Sequence, residues 1–281
     1  MTESKFSNTQ LRIISAMVMV VLVVIGVMLG KFWMLGLCWF VGALCVDEAL
    51  HQFSGLARNH KKYFITLLIY SMFFITMNFV EHFDLSRRMF LALGVLVHLA
   101  LIFYLFKFPL KDKVIKTKSL EYPTIIAYLI MIPLFSFGVY FEGEMWKQNL
   151  ALLLLVTFGM DTGAWFFGKN FGKHKLYPEV SPKKTVEGFI GGFIVSGILG
   201  TLFWWLFFNN FQWYYLIIFA FAGIISQAGD LVQSKIKREF EIKDSSNLIP
   251  GHGGVYDRID SLIFLSPFFA LIVKYLGSNL T

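Results

Sequence analysis

Nine apolar runs, each close to or above the length needed to cross a bilayer, decide what this chain can fold into. They lie at about 13–30, 32–50, 63–80, 89–107, 122–141, 149–167, 188–208, 213–233 and 259–277 of 281 residues. A span of roughly 18–20 apolar residues matches the hydrocarbon thickness, and in lipid only helices and closed barrels satisfy every backbone polar group. Continuous runs, without alternation in segments of about ten residues, exclude the barrel. The expected fold is an all-α polytopic membrane protein with about nine transmembrane helices. Composition agrees, with 15% charged residues where soluble domains carry about 25%. The run at 32–50 is the weakest, because it enters Asp47-Glu48 and an amphipathic stretch through His51. No small-residue cleavage site follows the first run, which reads as a retained helix and not a signal peptide.

Sidedness follows from lysine and arginine. Twenty of the 25 fall on the side shared by the N-terminus, with Lys5 and Arg12, and the loops after spans two, four, six and eight. The positive-inside rule makes that side cytoplasmic. The expectation is a multi-pass protein of the cell (inner) membrane, N-terminus cytoplasmic and C-terminus outside. The net charge of +7 then reflects topology and contact with the lipid bilayer, not nucleic-acid binding. The basic stretch 108–121 divides a four-helix part, 1–120, from a five-helix part, 121–281, with cytoplasmic loops 168–188 and 234–258. Cys38 and Cys45, seven apart in one run, share a helix face and are too far apart to bridge.

The polar density of Ser234–Asp260 is out of place between two spans. It holds five cations (Lys235, Lys237, Arg238, Lys243, Arg258), five carboxylates (Glu239, Glu241, Asp244, Asp257, Asp260), His252 and three glycines. Such a mixture suits a ligand with phosphates and a divalent metal: cations neutralise phosphate oxygens, carboxylates hold the metal, and glycines let N–H groups approach the anion. Asp161 and Asp230, inside or at the edge of spans, are costly unless they serve a site. Asp230 and Asp257 flank one loop and are the expected metal ligands, with Asp161 and Asp260 as further candidates. Lys183, Lys184, Lys237, Arg238, Lys243 and Arg258 are candidate phosphate contacts. Gly251-His252-Gly253-Gly254 suits a tight turn presenting N–H groups. The other histidines (His51, His60, His82, His98, His174) show no metal-ligand spacing.

Three ordered segments carry a resemblance. Ser234-Lys235-Ile236-Lys237-Arg238, then Lys243-Asp244, Ile249-Pro250-Gly251-His252-Gly253-Gly254 and Asp257-Arg258-Ile259-Asp260 form the longest. SPKKTVEG from Ser181 and DTGAWFFGKNFGKHKL from Asp161 are the others. Together they resemble the phosphatidate cytidylyltransferases (CDP-diacylglycerol synthases) over roughly the last 120 residues; the earlier part matches only as spans. Gln233 stands where that family commonly has glutamate, Ser246 where glycine is frequent, and Trp165 where tyrosine is. The resemblance implies transfer of CMP from CTP to phosphatidate, with release of pyrophosphate. It implies Mg2+, a second and monovalent cation such as K+, and a homodimer. The catalytic set is then Asp230, Asp257, Lys183, Lys184 and Arg258. Ser181, Thr185, Ser234, Lys237, Arg238, Lys243, His252, Gly253 and Gly254 form the substrate-binding set.

Two other readings stand beside this one. Intramembrane acids also mark ion pathways, so a cation-coupled transporter is the competitor from another class. Transporters usually place their sites near the midplane between repeated halves, and no repeat is visible here. The second is cytidylyltransfer to another lipid phosphate, since the motifs describe phosphate and metal but not the base.

Overall fold

The computed structural model describes residues 7–80 and 83–278; Lys5 and His82 lie outside them. Its membrane helices are α1 (Asn8–Leu29), α2 (Lys31–Glu48), α3 (Lys61–Phe79), α4 (Asp84–Lys107), α6 (Ile125–Leu134), α7 (Trp146–Phe171), α8 (Val186–Phe208), α9 (Tyr214–Glu239) and α10 (Tyr256–Ser278), with a short α5 (Val114–Glu121) before α6. Eight are long and apolar enough to cross a membrane by themselves. The structure is thus the expected all-helical polytopic bundle, with one addition. Lys175–Tyr177 (β1) and Ser181–Thr185 (β2) pair as a small antiparallel hairpin between α7 and α8.

The segment expected at 122–141 is broken. α5 and α6 meet at 87° across Tyr122-Pro123, and Pro133 lies in α6, which gives way to a 3-10 segment, Phe137–Phe141. Proline removes a helical donor and disfavours helix in the residue before it. The pieces still run the length of the bundle. α5 starts beside the end of α9, where Lys116 N–H donates to Glu239 (2.9 Å). The 3-10 segment ends beside Glu142, which lies 3.7 Å from Arg87 near the start of α4. Ten α-helical and five 3-10 residues reach roughly 25 Å, near the ~30 Å of a hydrocarbon core.

α9 lies at the centre, with 56% of its apolar window buried, and α1 at the periphery, with 6%. α7, α8 and α9 pack through small residues, as membrane helices do when backbones must approach closely. A Cβ on Gly163 of α7 would stand 3.0 Å from the Gly192 Cα of α8. Cys38 and Cys45 are both free thiols of α2.

α9 continues through Ser234–Glu239, so the loop expected from 234 begins at Phe240. The reason is burial of its last turns against α4 and α5. Lys235 is fully buried. Its ammonium donates to the carbonyls of Tyr104 (2.9 Å), Leu105 (2.9 Å) and Phe108 (2.5 Å) and sits 4.2 Å from the Tyr104 ring centre. These carbonyls close the C-terminal end of α4, where a cation is favoured. Glu239, also fully buried, accepts from Tyr104 Oη (2.6 Å). Lys235 is thus a clasp between α9 and the end of α4 and not a free surface charge.

Lys235→Met keeps the apolar stem and strips three carbonyls of their donor. It is expected to destabilise the protein by about 2–4 kcal/mol, read as a lower melting temperature in detergent. An unchanged melt would mean that the clasp contributes nothing.

Candidate functional site

The β1–β2 hairpin decides which lysine enters the site. Side chains alternate along a strand, so Lys183 and Lys184 point to opposite faces; Lys183 is exposed and Lys184 half-buried. Lys184 pairs with Asp230 of α9, whose other oxygen lies 3.3 Å from the Ser234 hydroxyl. Asp161, on α7, stands within electrostatic reach of Asp230, Lys184 and Arg258. Asp260, on α10, is within reach of Asp230, Lys237 and Asp161. Three helices therefore bring three carboxylates into one field, opposed by Lys184, Lys237 and Arg258. Among the described residues no three His, Cys, Asp or Glu side chains are gathered into a ready chelate.

Asp257 has a different environment. One oxygen accepts the N–H groups of Ser245 (2.7 Å) and Gly254 (2.9 Å). The other accepts from Lys237 Nζ (2.8 Å) and the Gln233 amide (3.4 Å). Its side chain is 2% exposed. The carboxylate thus folds the Phe240–Val255 loop, and its acceptor positions are filled by protein donors. A neutral amide at Gln233 suits this arrangement, because it donates where a second carboxylate would repel.

The sequence reading missed Glu48. Asp47-Glu48 looked like the frayed end of a weak span. Instead α2 runs on into a π-turn, Ala49–Phe53, and Glu48 is 2% exposed. One of its oxygens accepts from Ser246 Oγ (2.6 Å) and Val255 N–H (2.8 Å). The other accepts from Ser245 Oγ (2.7 Å) and Tyr256 N–H (3.0 Å). It caps the first turn of α10 from another helix and ties both ends of the loop to α2. A carboxylate is favoured against a helix N-terminus. Gly254 has no room for a side chain here: a Cβ would meet the Ser245 hydroxyl and stand 2.6 Å from a Glu48 oxygen. The available signal was a carboxylate within an apolar run, with serines and glycines clustered in a distant loop.

The remaining candidates divide. Thr185 accepts from Gly188 N–H (3.1 Å) as the cap of α8, and Arg238 donates to the Ile242 carbonyl (3.1 Å) just past α9. Ser181 opens β2. The N–H groups of His252 and Gly253 turn back to the Ile249 carbonyl (3.0 and 3.1 Å), and that of Gly254 goes to Asp257. In this arrangement those amides close the turn and are not turned toward a ligand. Gly251 and Gly253 take φ of 75° and 89°, which glycine adopts without strain. Lys243, Arg258 and His252 line a cavity of about 540 Å3 with Arg12, Asp244 and Gly251 among others, within the size range of small-ligand sites. Among the described residues Lys243 and Arg258 form no ion pair. Of the other described histidines, His174 lies 2.6 Å from Glu187, His60 caps α3, His51 lies 3.3 Å from the Leu56 carbonyl, and buried His98 stacks on Phe264.

Glu48→Gln replaces one acceptor oxygen with an NH2 group that faces two donors, and Glu48→Ala removes all four contacts. Either change is expected to speed amide exchange across the Phe240–Val255 loop by about 10- to 1000-fold while α7 and α8 stay protected. Wild-type exchange in both variants would show that the loop is held by something else.

Comparison with known proteins bears on this geometry. The chain is 44% identical over 120 residues to the phosphatidate cytidylyltransferase of Bacillus subtilis (strain 168), an overlap covering 42% of this chain and 45% of that protein. It is 47% identical over 122 residues to the protein of that name from Staphylococcus haemolyticus (strain JCSC1435), covering 42% and 46%. To that from Staphylococcus saprophyticus it is 42% identical over 149 residues, covering 52% and 57%. The chain thus spans about half the length of the curated relatives it matches. The model of the cytidylyltransferase family matches from residue 10 to residue 276, from the first turn of α1 to the last turn of α10, and on that match the chain belongs to the cytidylyltransferase family.

Proposed function

We propose that the protein is a phosphatidate cytidylyltransferase, a nucleotidyltransferase of phospholipid synthesis that acts at the cytoplasmic face of the membrane. A phosphate oxygen of phosphatidate bonds to the α-phosphorus of CTP, the α–β bond breaks, and pyrophosphate leaves with the electron pair. The observation that carries this is the convergence of Asp161, Asp230 and Asp260 with Lys184 and Lys237, beside a cavity lined by Arg12, Lys243 and Arg258. The nucleophile is already an anion, so no general base is required. The task is to neutralise two polyanions as they meet and to stabilise the charge that grows on the leaving group. Asp161 lies on an exposed face of α7 with Phe158 and Trp165. A lipid phosphate can reach the acids along that face, while CTP comes from the loop side.

The donor set fits Mg2+. Carboxylate oxygens are the ligands a hard divalent ion takes, and three acids repelling one another are relieved by a cation. Asp230 would hold it with Asp161 and Asp260, and Asp257, the other expected ligand, would join them only on giving up Lys237. Bound there, the ion would offset charge on the triphosphate, and K+ is the proposed second cation. In this structure Lys184 and Lys237 occupy the two acids. Released from them, both lysines are placed to take phosphate oxygens. A homodimer is part of the same proposal, and mass measurement in detergent tests it. The transporter reading gains nothing here: the cavity beside Arg258 shares no lining residue with the one among Lys31, Asn78, Arg87 and Glu142 at the other end.

The direct test is incorporation of labelled CTP into lipid by the purified protein. Product is expected only with both phosphatidate and Mg2+ present; product with another lipid phosphate alone would reassign the substrate. Asp230→Asn is expected to abolish turnover with insertion intact. Lys184→Ala should cost on the order of 2–4 kcal/mol, roughly 30- to 1000-fold in rate. Lys183→Ala, on the opposite strand face, should cost less, and the reverse order would refute this placement of the hairpin. For topology, N-terminus in and C-terminus out is expected from charge and from nine crossings. A C-terminal reporter active only in the cytoplasm would contradict it.

A further inference from the structure

The first membrane helix reaches into the signature loop. Arg12 Nε donates to the Gly251 carbonyl (2.9 Å). One helical turn on, Ser15 Oγ lies 2.7 Å from His252 Nδ1 and 3.3 Å from the Pro250 carbonyl. Farther along, α1 is largely exposed and packs against α2 near Gly26, so these contacts are the polar anchorage of an otherwise peripheral helix. They also place Arg12 in the wall of the 540 Å3 cavity, opposite Lys243 and Arg258. Three cations and His252 face one acid, Asp244, and among the described residues none of the three cations is in an ion pair. The charges converge: burial, then the positive fields of Arg258 and Arg12, hold His252 below the ordinary imidazole range. Like charges gathered around an open hollow cost free energy unless an anion completes them.

The position of the hollow says which anion. Arg258 lines it and also lies within electrostatic reach of Asp161. The cavity is therefore on the loop side of the acids, away from the lipid-facing flank of α7 that carries Asp161. A ligand that bridges both needs a phosphate at the acids and further phosphates beyond them, which is the shape of a nucleoside triphosphate. The guanidinium keeps its two terminal nitrogens for the planar, two-point grip that arginine makes on phosphate. We propose that Arg12 is a phosphate-binding residue of the enzyme, taking the β- and γ-phosphates of the nucleotide and hence the leaving pyrophosphate. The first span is then part of the nucleotide site. This rests on the cytidylyltransferase reading above.

The test compares Arg12→Ala, Arg12→Lys and Arg12→Gln with wild type in KM for CTP, KM for phosphatidate and inhibition by inorganic pyrophosphate. Arg12→Ala is expected to raise the CTP KM and the pyrophosphate inhibition constant by about 10- to 100-fold, with the phosphatidate KM within about twofold. Lysine should restore part of the loss. Glutamine, which can still donate to the Gly251 carbonyl, should not. Rescue by glutamine and not lysine would make Arg12 a loop brace and overturn the proposal. A shift confined to phosphatidate would make the anion a lipid headgroup, and no shift in any constant would leave Arg12 a topology signal; both overturn it. Calorimetric titration of wild type and Arg12→Ala with pyrophosphate separates this from the reading it rests on. Should wild type form no CDP-lipid, that reading fails, and a pyrophosphate affinity lost in Arg12→Ala would still assign the anion site.

Discussion

One buried carboxylate holds the working end of this molecule together. Glu48 comes from the second helix, yet its four hydrogen bonds all go to residues 197 to 208 positions later. An ionised group so deep is unfavourable unless every lone pair is met. Here each oxygen takes one hydroxyl and one backbone N–H, two of which the start of α10 would otherwise leave unpaired. The loop cannot move from α2 without exposing a charge to an apolar surrounding. That constraint sets the position of Asp257, and through it of Lys237 and Arg258.

The acids follow a related logic. Each of Asp230 and Asp257 carries a lysine from a neighbouring element, because an unpaired carboxylate among membrane helices is costly. A pair of this kind adds little net stability, since the desolvation of two ions offsets most of their attraction. What the pairs do fix is position: each holds a lysine beside its acid. The pairing also shows why no tight cluster of carboxylates exists beforehand. Three acids brought together without a cation would repel one another.

Much of the fold was legible, because lipid leaves a chain few options. Apolar length alone located eight helices and the bent apolar segment between α4 and α7, although Pro123 and Pro133 gave the only hint of the bend. The acids and lysines that the structure brings together stand out in the sequence through their position at span ends. The division of labour among them does not. Lys183 and Lys184 are identical as neighbours in sequence and differ only because β2 sends them to opposite faces. Lys235 and Lys237 are cations of one polar stretch, but helix continuation buries the first under α4 and turns the second toward Asp257. Glu48 and Arg12 escaped notice for one reason: each acts on a partner more than 190 residues away, and a single sequence carries no mark of such a pairing.

That separation orders events during synthesis. Helices α1 and α2 enter the membrane long before residues 240–256 exist, so Arg12 and Glu48 must wait without their partners. Glu48 meets its donors only when the last span, α10, is in place. The site therefore closes last, after every other crossing has been made. A chain that stops short of α10, or inserts it the wrong way round, retains most of its helices and none of its loop geometry. The order of insertion thus acts as a check on the chain itself: an incomplete copy lacks the Glu48 contacts, and the loop stays unformed until the final helix has inserted.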